Sequence, residues 1–140
     1  MNHFKQLSIA MGLWLIAVIG TPAALVVKVA PAKLTGSKAV IGLELDNTYS
    51  QKIKSVRAAI FLLDDQGKVV GQETRWIIGG TQDKPALAPA AQAKYDFVVT
   101  MTKPFTRSQL IVTRIALDDG KMGDVLKDVQ IQDAGDHAPK

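Results

Sequence analysis

This sequence predicts an all-β fold, an immunoglobulin-like sandwich of two antiparallel sheets with about seven strands, and three observations carry that expectation. Past residue 24, apolar residues recur at every second position, clusters of Asp, Asn, Gly, Ser and Pro interrupt them at short intervals, and no segment sustains a helical period. With no helix to cover a single sheet, the apolar faces of two sheets have to bury one another. A small closed barrel is the other closure that the same strand count allows.

The chain opens on Asn2, His3, Lys5 and Gln6, a short polar and basic stretch, and residues 7–27 then carry no charge. An apolar run over residues 7–19, broken by Gly20-Thr21-Pro22-Ala23 before small residues, has the layout of a secretory signal cleaved after Ala23. Ala30-Pro31-Ala32 offers a second, later cleavage point. The 21 residues 7–27 are also long enough to span a hydrocarbon core, so a retained anchor is the alternative. Against it, Pro22 disfavours an unbroken helix, and Leu25-Val26-Val27-Lys28-Val29 alternates as a strand does. The domain is therefore expected outside the cytoplasm, periplasmic or secreted, with membrane contact only if the N-terminal segment is retained.

The expected organisation is a signal over residues 1–23, one sandwich over residues 24–132 and a flexible tail over residues 133–140. Removing 23 of the 140 residues leaves 117, enough for one domain with a genuine core and too few for two. The absence of cysteine rules out a disulfide scaffold, a thiol nucleophile, a thiolate metal site and a lipoprotein attachment point. The net charge of +4 falls by one with Lys5, and the basic residues Lys28, Lys33, Lys38, Lys52, Lys54 and Arg57 are spread out rather than clustered. Without interleaved aromatics this is a soluble charged surface, and no nucleic-acid partner is expected.

Leu25, Val27 and Val29 share one side of a first strand that Pro31 can end. After a turn at Gly36-Ser37, Ala39, Ile41, Leu43 and Leu45 face one way, with Val40, Gly42, Glu44 and Asp46 opposite, until Asp46-Asn47 closes the strand. Residues 56–63 are the most apolar stretch. Ala58, Ile60 and Leu62 lie on one side and Ala59, Phe61 and Leu63 on the other, which predicts a central strand covered on both faces. Asp64-Asp65-Gln66-Gly67 is a tight reversal, so residues 68–78 should return antiparallel and place Trp76 on one side with Val70, Thr74 and Ile78. Residues 81–93 form an irregular crossing rich in Ala and Pro, with Leu87 tucked inward as a plug. Tyr95, Phe97, Val99 and Met101 alternate with Asp96, Val98, Thr100 and Thr102. After the loop Lys103-Pro104-Phe105-Thr106, Ile111, Ile115 and Leu117 are expected opposite Val112, Arg114 and Ala116. Asp118-Asp119-Gly120 turns the chain toward a last strand near residues 126–131.

The central hairpin resembles a known module. Phe61-Leu62-Leu63-Asp64-Asp65 is similar to the Phe-x-Leu-Tyr-Asp signature of the FxLYD domains, small extracytoplasmic immunoglobulin-like β-sandwiches, with Asp64 standing where that pattern has Tyr. Leu87-Ala88-Pro89-Ala90 followed by Tyr95-Asp96-Phe97 resembles their Leu-x-Pro-Gly segment and next strand, with Ala90 where Gly is usual. The resemblance spans residues 37–117 and implies an accessory or interaction domain of the cell envelope without catalysis. It carries no functional residue.

Nothing in the chain assembles into a catalytic signature. The two histidines, His3 and His137, lie at the ends, and no Ser sits in a nucleophile-elbow context. Asp118, Asp119 and Asp124 share a glycine-containing loop, yet their spacing does not match a helix-bounded calcium loop and Lys121 opposes a cation. Gly79-Gly80-Thr81 lacks the helix N-terminus that strengthens a phosphate nest. No cofactor and no metal are expected. The expected role is a non-catalytic binding or structural module engaging an envelope protein, with Trp76, Phe105 and Leu87 of the crossing as candidate contact residues. A small-ligand or carbohydrate-binding protein using Trp76 as a platform, and a membrane-anchored accessory subunit, are the alternatives.

Overall fold

Side chains that alternate along an extended backbone give each strand one buried and one exposed side, and this pattern runs through the computed structural model. It describes residues 24–81 and 84–133; the expected signal, its cleavage point and residues 134–140 of the expected tail lie outside them. Among the described residues there are eight strands: β1 (Leu25–Val29), β2 (Lys33–Thr35), β3 (Lys38–Asn47), β4 (Ile53–Leu63), β5 (Val69–Ile78), β6 (Gln92–Thr100), β7 (Arg107–Leu117) and β8 (Val129–Asp133). They form a two-sheet, all-β sandwich. One sheet has five strands, with β6 on one side of β3, β1 and β2 on the other, and β8 beyond β1; the second has three, in the order β5-β4-β7.

Ala39, Ile41, Leu43 and Leu45 of β3 and Phe97 and Val99 of β6 are buried against Val56, Ala58, Ile60 and Leu62 of β4. These are the sides that alternation predicts. β1 and β2 act as one interrupted strand along β3: Val29 stands opposite Leu43 and Lys33 opposite Val40. Three residues, Ala30-Pro31-Ala32, thus face two, a bulge placed where proline has no N–H to give. Three exposed residues make up β2, too short for a detectable alternation, which is why the sequence shows only the Gly36-Ser37 turn beside it.

Several features depart from expectation: β2 makes an eighth strand, and the last strand, expected near residues 126–131, is β8 at Val129–Asp133. The sandwich is not purely antiparallel, because β8 runs parallel to β1, from Leu25 opposite Val129 to Val29 opposite Asp133. Asp128 O accepts both Ala24 N–H and Leu25 N–H at 2.8 Å, which brings the last loop to the start of β1 and sets this pairing. In β7, Leu110 and Val112 are buried together with Ile115 and Leu117, whereas Ile111 is 41 % exposed. The predicted side for Ile111 and Val112 is therefore reversed. Ala58 pairs with Val112 and Arg57 with Arg114, so Thr113 has no opposite number. One extra residue inverts the alternation on either side of it.

The Asp64 reversal forms as expected. Asp64 Oδ1 accepts the N–H groups of Lys68 (2.8 Å) and Gln66 (2.9 Å), and Gly67 has a φ of +80°. Hydrogen bonds from those backbone groups, Lys68 first, hold the Asp64 carboxyl below the usual carboxylate range. The crossing after β5 is held by Asn47, which is fully buried. Its Nδ2 donates to Leu87 O (2.9 Å), Ala88 O (3.1 Å) and Gln51 O (3.1 Å), while its Oδ1 accepts Tyr49 N–H at 2.9 Å. Leu87 also exchanges two 2.9 Å backbone bonds with Ile53, fixing the inward plug.

Candidate functional site

Register decides which side chains share the outer face of the three-stranded sheet, since residues directly opposite one another point the same way. Across β5, β4 and β7 the rows read Val69, Leu63, Arg107; then Gln72, Phe61, Gln109; then Thr74, Ala59, Ile111; and last Trp76, Arg57, Arg114. Among the described residues no second layer covers this face. Val69 is 52 % exposed and Ile111 41 %, while Ala59 and Leu63 are buried beneath the larger side chains around them. β4 is central in its sheet as expected, but the other sheet covers only its Val56, Ala58, Ile60 and Leu62 side, so the expectation of cover on both faces is corrected.

Trp76 is half-buried and shares this face with Thr74. Val70 and Ile78, expected on the same side, are buried in the core, because Val70 and Ile77 have no opposite number on β4 and each shifts the alternation of β5. Gly80, at φ +79°, lies against its ring so closely that a Cβ there would stand 2.4 Å from Trp76 Cγ. No other residue type fits that position without moving the indole. The Arg57 guanidinium carbon lies 5.7 Å from the ring centroid, within cation–π range. Lys84 Nζ donates to Trp76 O at 2.6 Å and lies 4.7 Å from the Tyr95 ring centroid, tying the crossing to the end of β5. The indole is therefore held in place by its surroundings.

Phe105 and Leu87 are corrected as surface contacts. Phe105 is 3 % exposed, because Thr102 N–H bonds to Val70 O and Thr106 N–H to Leu63 O, both at 2.8 Å, and these ties turn the loop's ring inward. Leu87 is 6 % exposed and packs as the plug. Arg57, Arg114, Ile111, Phe61 and Val69 are the residues that sequence reasoning did not single out. Their common face depends on two bulges, and alternation alone gives no sign of either.

The remaining polar clusters serve folding. Asp119 Oδ1 accepts Lys121 N–H at 2.9 Å, Asp124 Oδ1 accepts Leu126 N–H at 2.9 Å and Lys127 N–H at 3.1 Å, and Asp128 Oδ2 accepts Tyr49 O–H at 2.8 Å. Each carboxylate is occupied in shaping the loop. Among the described residues no group of three His, Cys, Asp or Glu side chains comes together as a metal site. A cleft of about 340 Å³ between the β2–β3 turn and the β6–β7 loop is lined by Leu34, Met101 and Phe105, and another of about 400 Å³ lies over Gly42. Neither borders Trp76.

No family model matches this chain, and no curated protein matches it. Solved structures share its fold. The ApaA protein from Bordetella pertussis aligns over 75 % of this chain and 89 % of its own, with a TM-score of 0.54 and 17 % identity. The structural genomics target SoR45 aligns over 74 % of this chain and 81 % of its own, with a TM-score of 0.52 and 15 % identity. At such identities the likeness concerns architecture alone, and it agrees with the sandwich described above.

Proposed function

We propose that this chain is a non-catalytic, exported binding module of the cell envelope that engages a protein partner through the outer face of its three-stranded sheet. One observation carries this reading: Val69 and Ile111 are exposed beside half-buried Phe61 and Trp76 on a face built of paired strands. Apolar side chains gathered on a rigid, uncovered surface mark an interaction site, and preorganised strands lose little entropy when a partner binds. A protein fits better than a sugar, because one side of the Trp76 ring is already occupied by Gly80. The export reading rests on residues 1–23, and a retained N-terminal segment would make the same face the working surface of an anchored subunit.

The FxLYD resemblance supports the same role. Ala90, which stands where that pattern has Gly, has a φ of +62°, the conformation that glycine adopts most easily. Crosslinking in the intact envelope tests the proposal. The unaltered chain should give a discrete protein adduct, and Val69→Ser/Ile111→Ser should lose it while keeping its melting temperature. Recovery of the unaltered chain only as monomer, or an adduct indifferent to the double substitution, contradicts the reading.

A further inference from the structure

The docking face carries its charges in an arrangement that does not help the chain to fold. Arg57 and Arg114 stand directly opposite each other on β4 and β7, and Arg107 lies on the same face at the far end of β7. No strand position on this face is Asp or Glu, although the chain has 13 acids. Among the described residues no carboxylate forms an ion pair with Arg57 or Arg114. Like charges directly opposite on neighbouring strands are unfavourable. Arg75, next to Trp76 but on the opposite side of the strand, is by contrast paired with Glu73 at 3.3 Å. Charge is neutralised on that side and left open on the docking face.

Guanidinium groups present planar forks of donors that match a carboxylate in two-point contact. Arg57 is held against the Trp76 ring, which limits the freedom it would lose on binding an anion. The rows that hold Phe61 and Ile111, with Gln72, Gln109 and Thr74 as their uncharged polar members, lie between the Arg57–Arg114 pair and the row of Val69, Leu63 and Arg107. An anionic lipid surface or a nucleic-acid backbone is gripped by a continuous basic tract, whereas arginines separated by Phe61, Ile111 and uncharged polar residues suit a protein segment.

We propose that the Arg57–Arg114 pair is a carboxylate-recognition site, and that the partner presents Asp or Glu side chains flanked by apolar ones. This rests on the docking reading above and names the chemistry of its partner. The carboxylates neutralise the opposed guanidinium groups, and the flanking apolar residues cover Ile111 and Phe61.

Titration of the isotope-labelled full chain with hexaglutamate, followed by NMR, tests the site, with phosphatidylglycerol vesicles as the competing probe. The peptide should shift the amides of Arg57 and Arg114 and the Trp76 indole N–H, and Arg57→Gln/Arg114→Gln should weaken binding about tenfold or more. Arg114→Glu should also lose binding while its melting temperature rises, since the repulsive pair becomes an attractive one. The proposal is overturned if the peptide shifts only lysine-bearing segments, if it shifts nothing, or if vesicles rather than the peptide bind in an Arg57- and Arg114-dependent way. An envelope adduct that survives Arg57→Gln/Arg114→Gln but is lost in Val69→Ser/Ile111→Ser overturns the carboxylate site and leaves the docking face standing. An adduct unaffected by either pair overturns both.

Discussion

Asn47, Ala90 and Tyr49 hold the end of the sandwich where the crossing meets the last loop. Asn47 is the residue that the sequence hides best: it reads as a strand terminus, while two of the carbonyls it binds, Leu87 O and Ala88 O, lie about forty positions away. Ala90 is the opposite case, because its departure from a Gly pattern is visible in the chain and only its φ of +62° gives that departure a meaning. A left-handed alanine costs about 1–2 kcal/mol, and glycine returns part of the gain through its freer unfolded chain. Ala90→Gly is expected to stabilise the domain by up to about 1 kcal/mol, read from the urea midpoint; a lower midpoint contradicts the strained turn. Tyr49 supplies a pH test. Burial first, and then its hydrogen bond to Asp128, push the phenol well above its ordinary value of 10.0. A group whose folded pKa is raised stabilises fully below the unfolded value and loses that contribution as pH rises above it. The melting temperature of the unaltered chain should fall more steeply above about pH 10 than that of Tyr49→Phe. Equal slopes contradict the assignment.

At the scale of elements, strands β1, β3 and β6 follow from alternation because nothing interrupts their period, and Leu25, Ile41 and Phe97 are buried where the pattern puts them. β7 does not, because the unpaired Thr113 reverses its sides, and a bulge is a property of pairing with β4 rather than of β7 alone. This inversion creates the candidate site, since it moves Ile111 from the core to the docking face. Two substitutions at neighbouring positions separate the alternatives. Val112→Ala should cost about 1–3 kcal/mol of stability, whereas Ile111→Ser should stay within about 0.5 kcal/mol, both by urea unfolding. The reverse order would restore unbroken alternation and remove Ile111 from the face. The parallel β1–β8 pair is equally hidden, because β8 is five residues long and mostly exposed.

For the whole molecule, the two-layer architecture was legible and the proposed docking surface was not. A sandwich has two outer faces, and composition cannot say which one is uncovered, apolar and free of acids. The outer face of the five-stranded sheet is the natural control: Val98 is 47 % exposed there, opposite Val40, on a face that also carries Asp96, Glu44 and Asp46 further along. The sequence pointed to Trp76, Phe105 and Leu87, and only Trp76 stands on the docking face; Phe105 and Leu87 help to close the core that supports it. A photo-crosslinking side chain placed at Ile111 and, separately, at Val98 compares the two faces in the intact envelope. Capture of a protein partner from Ile111 and not from Val98 is the predicted result; capture from Val98 alone, or equally from both, would contradict the account.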